Sequence, residues 1–70
     1  MTYSTAQTAA HTVFADYSDD EVRTAYVSTF VQVGRFTARE ARDVRRWAVA
    51  EVAAREGEQA ASDFVEACHA

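Results

Sequence analysis

Two four-residue stretches constrain this chain more than anything else in it: Ser18-Asp19-Asp20-Glu21 and Thr37-Ala38-Arg39-Glu40. Each sets a hydroxyl residue three positions before a glutamate. That is the capping-box spacing, in which the hydroxyl accepts a bond from a backbone N–H of the new helix and the glutamate reaches back to the cap's own N–H. Asp19, Asp20 and Glu21 also lie at the positive end of the helix dipole, where carboxylates are favoured.

From Ser18 onward, Val22, Tyr26, Thr29, Phe30 and Val33 fall on one helical face, and Gly34 follows as the residue type that ends many helices in a left-handed conformation. The spacing predicts a helix over 19–33. The same segment, VRTAYVSTFVQV, is dense in β-branched and aromatic residues and would suit a strand. No second segment offers that strand a partner, however, and an isolated strand leaves its backbone groups unpaired. Helix is therefore the expectation.

From Thr37, Ala41, Val44, Ala48 and Val52 recur at helical spacing up to Gly57, with Trp47 and Val49 on the flanks of the stripe. Beyond Gly57, Ala60, Ala61, Phe64, Val65 and Cys68 make another amphipathic stretch. A helix continued straight through Gly57 would put this second set opposite the first, so the chain is expected to bend there. Near the N-terminus, Tyr3, Ala6, Ala10, Val13 with Phe14, and Tyr17 suit a short helix that frays at its start. The expected fold is all-α: a single domain over 1–70, a small bundle of four short helices with a break at Gly57.

The core implied by this pattern is built from Val, Ala and aromatics, because the chain contains no Leu and no Ile. It offers less apolar area per residue than a Leu-based bundle, and a domain this short is marginal already, which favours self-association as a homodimer. The absence of Lys, Asn and Ile beside abundant Ala and Arg suggests a GC-rich genome. No apolar run approaches the roughly 20 residues a membrane span needs, and the N-terminus lacks a signal pattern, so the expected location is cytoplasmic with no membrane partner. The lone Cys68 leaves a bridge between two chains as the only disulfide open to the molecule; a small core-facing hydrophobe is the simpler role for it.

Charge is segregated along the chain. Asp16, Asp19, Asp20 and Glu21 outweigh Arg23 near the start, and Glu51, Glu56, Glu58, Asp63 and Glu66 outweigh Arg55 near the end. Between them, Arg35, Arg39, Arg42, Arg45 and Arg46 outweigh Glu40 and Asp43. Arg39, Arg42 and Arg46 fall within about 60° of one another, opposite the Ala41-Val44-Ala48-Val52 stripe, and form a basic ridge. After a helix and a short turn, such a ridge could be the reading helix of a helix-turn-helix DNA-binding regulator.

Three observations weigh against DNA. The net charge is −4 with a pI near 4.9, whereas phosphate neutralisation supplies most of a DNA binder's affinity. Arg35 stands directly after Gly34, where such turns usually pack an apolar residue. Several arginines also have acids at helical pair spacing: Asp19 with Arg23, Glu51 with Arg55, and Asp43 with Arg39 or Arg46. That leaves Arg35, Arg42 and Arg45 for another molecule.

His11, Cys68 and His69 match no zinc spacing, no glycine-rich phosphate loop exists, and no nucleophile–base pair emerges, so neither enzymatic activity nor a metal or cofactor is expected. What remains is binding. The corner formed by Asp16, Asp19, Asp20 and Glu21, the arginines Arg35, Arg39, Arg42 and Arg46, and Trp47 as an aromatic anchor are the candidate partner-binding residues. A core role for Trp47 stays equally open.

Very small size, one acidic domain, no catalytic constellation and GC-rich usage together resemble phage-encoded inhibitors, the anti-CRISPR proteins in particular. The resemblance is one of general character over the whole chain. It implies a stoichiometric inhibitor that binds a host protein complex, a nucleic-acid-guided effector, and blocks DNA or nuclease engagement.

Overall fold

Both capping boxes form, and each starts a helix. In the computed structural model, Ser18 Oγ accepts from the Glu21 N–H at 3.2 Å and Glu21 Oε1 accepts from the Ser18 N–H at 2.9 Å. Thr37 and Glu40 repeat the exchange at 3.1 and 2.9 Å. The structure describes residues 5–32 and 34–69, with side chains from residue 10 onward. Within that range the elements are α1 (Thr5–Phe14), α2 (Asp19–Val31), α3 (Ala38–Glu56) and α4 (Glu58–His69). No β-strand forms among the described residues. Tyr3 and Val33, and the side chain of Ala6, lie outside this range.

The strand-like sequence of α2 is helical, and its hydroxyls adapt to that state. Thr24, Ser28 and Thr29 donate to carbonyls of their own helix, those of Asp20, Ala25 and Tyr26, at 2.9, 2.7 and 2.8 Å. Such back-bonds let polar side chains sit on a helix without leaving a donor unpaired. α2 ends at Val31, two residues short of expectation. Its cap is Gln32, whose N–H reaches the Ser28 carbonyl, and Gly34 takes its positive φ of 93° in the following turn rather than at the helix end.

The architecture is a spine with three helices laid on it. α1, α2 and α4 each pack chiefly against α3, the longest element. Ala48 of α3 and Ala10 of α1 are wholly buried, because small residues let helix backbones approach closely. Around them Phe14, Val22, Tyr26, Val52 and Ala61 complete the core, with Trp47, Val49, Phe64 and Cys68 packed on its edge. Among the described residues, only Phe14 and Val22 are large side chains sealed almost completely. Phe30, expected on the buried face of α2, is instead 43% exposed.

Gly57 provides the reversal between α3 and α4. Its φ of 100° and ψ of 168° belong to a region populated essentially by glycine. Its N–H bonds to the Ala53 carbonyl, while its own carbonyl accepts from the Ala61 N–H. One residue thus closes α3 and opens α4, and the two apolar stripes face each other.

Candidate interaction surfaces

The arginines of the middle segment meet different fates. Arg39 and Arg42 are exposed and make no hydrogen bond or ion pair among the described residues. Arg46 is held by Asp43 at 3.2 Å, yet its side chain remains 64% exposed. The ridge of Arg39, Arg42 and Arg46 therefore stands in solvent as its spacing requires. Arg35 and Arg45, expected to lack local partners, both have them. Arg35 donates to Gln32 Oε1 and lies over the Phe36 ring. Arg45 lies over the Phe30 ring, 4.8 Å from its centroid, and donates to Thr29 Oγ1 at 3.3 Å. The stacking partners are aromatic rings, which charge pairing alone does not bring to notice.

The acidic corner is smaller than its sequence suggests. Asp16, Asp19, Asp20 and Glu21 are all exposed, but Glu21 is engaged in its cap and Asp19 accepts from Arg55 at 3.0 Å rather than pairing with Arg23. The cap bonds to Ser18, backbone first and side chain second, hold the Glu21 carboxyl below its ordinary range. Of these four, only the Asp16 and Asp20 side chains are without a bond among the described residues.

Arg55 ties three elements together. Its Nε meets Glu51 at 2.6 Å, one Nη meets Asp19, and the other donates to the Phe14 carbonyl at 2.8 Å. Glu51 is the one buried charged residue among those described, 4% exposed. The i,i+4 spacing marked the Glu51–Arg55 pair; the reach to Asp19 and to the end of α1 depends on chain reversals that spacing does not encode. The bond to Glu51 raises the Arg55 pKa, burial opposes it, and the bond to Asp19 adds to the rise.

Between α1 and α2 runs an open cleft of about 460 Å³. Val13, Phe14, Tyr17, Ala25, Phe36 and Val44 supply its apolar lining, with Glu21 and Arg35 among its polar residues. Val13 and Tyr17 are 42% and 40% exposed. The cleft exists because α1 and α2 are each seated on α3 and touch one another little. Spacing placed Val13 and Tyr17 on one helical stripe; that α2 would not cover them could not be read from it.

Trp47 packs against the core edge and is partly buried. At the far end, Tyr26 Oη lies 2.9 Å from His69 Nε2, and Phe30 and Phe64 pack edge-on around this pair. Burial, reinforced by Cys68, pushes the Tyr26 phenol up, and Arg45 opposes this. Cys68 itself is half-buried and unbridged. No group of three metal-ligating side chains occurs among the described residues, and no helix there is long and apolar enough to cross a membrane.

No family model, curated protein or solved structure matches the chain.

Proposed function

We propose that this chain is a non-enzymatic binding module that engages a protein partner through the cleft between α1 and α2. The observation that carries this reading is the pair of half-exposed side chains, Val13 and Tyr17, on an open apolar cleft. A small domain has little core area with which to offset apolar surface left in water, and such surface is what partner recognition uses. Tyr17 is the anchor type enriched in interface centres. Glu21 and Arg35 add one charge of each sign to the lining, which suits an amphipathic segment with matching charges.

In its narrower form this is a phage-type, anti-CRISPR-like inhibitor, and the partner is a nucleic-acid-guided host effector. With two of the four corner carboxylates engaged internally, recognition rests on the cleft more than on mimicry of a polyanion.

The test is capture from a bacterial lysate with three baits: the wild type, a Val13→Glu/Tyr17→Glu variant, and an Arg39→Ala/Arg42→Ala/Arg46→Ala variant. A protein held by the first and third baits and lost from the second is the expected result. Micromolar, strongly salt-dependent binding of generic duplex DNA that the arginine variant loses would overturn it in favour of the helix-turn-helix regulator.

A further inference from the structure

The cleft between α1 and α2 has a small-residue wall and two ends of opposite charge, and together these define the kind of partner that fills it. Along α2 the lining residues are Glu21, Thr24, Ala25, Ser28 and Gln32, at steps of three and four that run for roughly 16 Å, or three turns of helix. Thr24, Ala25 and Ser28 are small, so another helix can approach α2 closely; side-chain size at the contact sets the distance between helix axes. The Thr24 and Ser28 hydroxyls already donate to carbonyls of their own helix, and covering them leaves no hydroxyl donor unsatisfied. An extended peptide would find no sheet edge to join, because both walls are helices. A helix brings its backbone groups already paired.

Charge distinguishes the two ends. Where α2 begins, Asp20 continues the Thr24-Ser28 row by one turn and Asp16 precedes Tyr17. Both carboxylates are exposed and have no bond among the described residues, while Glu21 beside them is engaged in its cap. Beyond the end of α2, Arg35 is exposed, and both of its contacts, Gln32 Oε1 and the Phe36 ring, are uncharged. Its charge thus meets no carboxylate among the described residues, and most of its N–H donors stay available. Arg39, in the first turn of α3, is exposed and has no partner among the described residues.

We infer that the cleft receives an amphipathic helix of another protein, antiparallel to α2, with carboxylates in its first turn against Arg35 and Arg39 and bases in its last turn against Asp16 and Asp20. The inference rests on the cleft as the binding site and adds the chemistry and direction of its occupant. Helices favour acids in the first turn and bases in the last, so the partner needs no unusual charge order. Laid the other way, the same helix would set its bases on Arg35 and its acids on Asp20. A helix with both ends acidic, or both basic, would match one end of the cleft and be repelled by the other.

The test is selection from a phage-displayed library of random peptides of about 16 residues, long enough for four turns of helix. Three full-chain baits are used: the wild type, the Val13→Glu/Tyr17→Glu variant, and an Asp20→Lys/Arg35→Glu variant in which the two ends exchange sign. None of these four residues belongs to the core, and helicity by circular dichroism checks that each variant still folds. The wild type should enrich peptides with apolar residues at helical spacing, acids near the start and bases near the end. The end-reversed bait should enrich the opposite order, which separates recognition from the charge order that any helix prefers. The Val13→Glu/Tyr17→Glu bait should enrich neither. For a synthetic peptide selected by the wild type, Arg35→Gln should weaken binding about fivefold at low salt and little at about 0.5 M salt, read by fluorescence anisotropy.

The same charge order on the wild-type and end-reversed baits overturns the inference, and so does enrichment of proline-rich or strand-patterned peptides on the wild type. If the Val13→Glu/Tyr17→Glu bait loses those peptides, the cleft reading survives that failure. Peptides that the Val13→Glu/Tyr17→Glu bait holds as well as the wild type does, or no enrichment on any bait, overturn the cleft reading and the inference with it.

Discussion

Helix α3 carries arginines at both ends, and the two ends use them in opposite ways. In its first half, Arg39, Arg42 and Arg46 project into water; two have no partner among the described residues and the third has one exposed aspartate. In its last turn, Arg55 lies against a buried glutamate and fastens α3 to Asp19 and to the carbonyl that ends α1. The side chain is the same; the difference is whether the helix face it occupies is roofed by another element. One end is available for recognition, and the other is committed to the fold.

Removing Arg55 should produce the largest effect. Arg55→Ala leaves the Glu51 carboxylate buried without its counter-charge and the Phe14 carbonyl without a donor, at a cost of about 3 kcal/mol. In a domain of this size that lowers the melting temperature by roughly 15 °C, measured by circular dichroism. A shift below about 3 °C would break the contrast, since it would mean that the roofed arginine matters no more than an exposed one.

Next in size is Gly57→Ala, two residues further on. A Cβ there meets nothing within 4 Å, so the whole cost is backbone, about 2 kcal/mol for holding a non-glycine residue at that φ and ψ. Chemical denaturation should show the loss. A neutral result would mean that the α3–α4 reversal relaxes freely, and that the roofed half of α3 is less fixed than the half that points outward.

Arg45 tests the ground between the two ends. It is half-buried, with its guanidinium over Phe30 and a bond to Thr29. Arg45→Ala should cost about 1 kcal/mol, and Arg45→Lys should recover only part of it, because a point charge lacks the planar stacking surface. Equal stability of the Lys variant and the wild type would show that charge alone acts there.

How much of this was legible depends on how local each signal is. Ser18, Thr37 and Gly57 act through bonds spanning three or four residues, so their helix boundaries could be written from the chain alone. The stripe of Ala41, Val44, Ala48 and Val52 was equally plain, because helical spacing decides which side chains share a face. What spacing leaves open is which parts of a face are covered. Phe30 shares a face with the buried Tyr26 and is half-exposed, and Glu51, which a charge count does not separate from Glu56 and Glu58, is buried. Asp19 had Arg23 at helical pair distance and took Arg55, 36 residues away, because the packed arrangement offered a guanidinium already fixed by Glu51. The cleft, the Arg55 tie and the loss of Asp19 from Arg23 to Arg55 all follow from how α1 and α2 sit on α3, which is tertiary information.

The capping boxes supply an acid-sensitive prediction at the exposed ends of α2 and α3. Glu21 and Glu40 both have carboxyl pKa values lowered from the ordinary 4.5 by cap bonds to Ser18 and Thr37. A carboxylate whose folded pKa is depressed binds fewer protons folded than unfolded, so its contribution is complete above the unfolded value and is lost as pH falls through the folded one. Thermal melts from about pH 6 to about pH 3 should therefore fall less steeply for a Glu21→Gln/Glu40→Gln variant than for the wild type. Parallel profiles would show that the caps do not carry the acid limb.

The smallest expected change sharpens the comparison most. Replacing Arg39, Arg42 and Arg46 together by Ala removes three charges from α3, yet stability should stay within about 0.5 kcal/mol of the wild type. Two opposing terms make it so. The exposed Arg46–Asp43 pair contributes at most about 1 kcal/mol and usually less, while alanine is the strongest helix former and adds a few tenths of a kcal/mol at each exposed site. A stable triple variant beside a destabilised Arg55→Ala would show that one helix keeps its structural and its available arginines apart by burial alone. If instead the triple variant lost about 2 kcal/mol or more, the ridge would be part of the fold, through contacts that its exposure does not reveal, and the outward half of α3 would no longer be free to recognise anything.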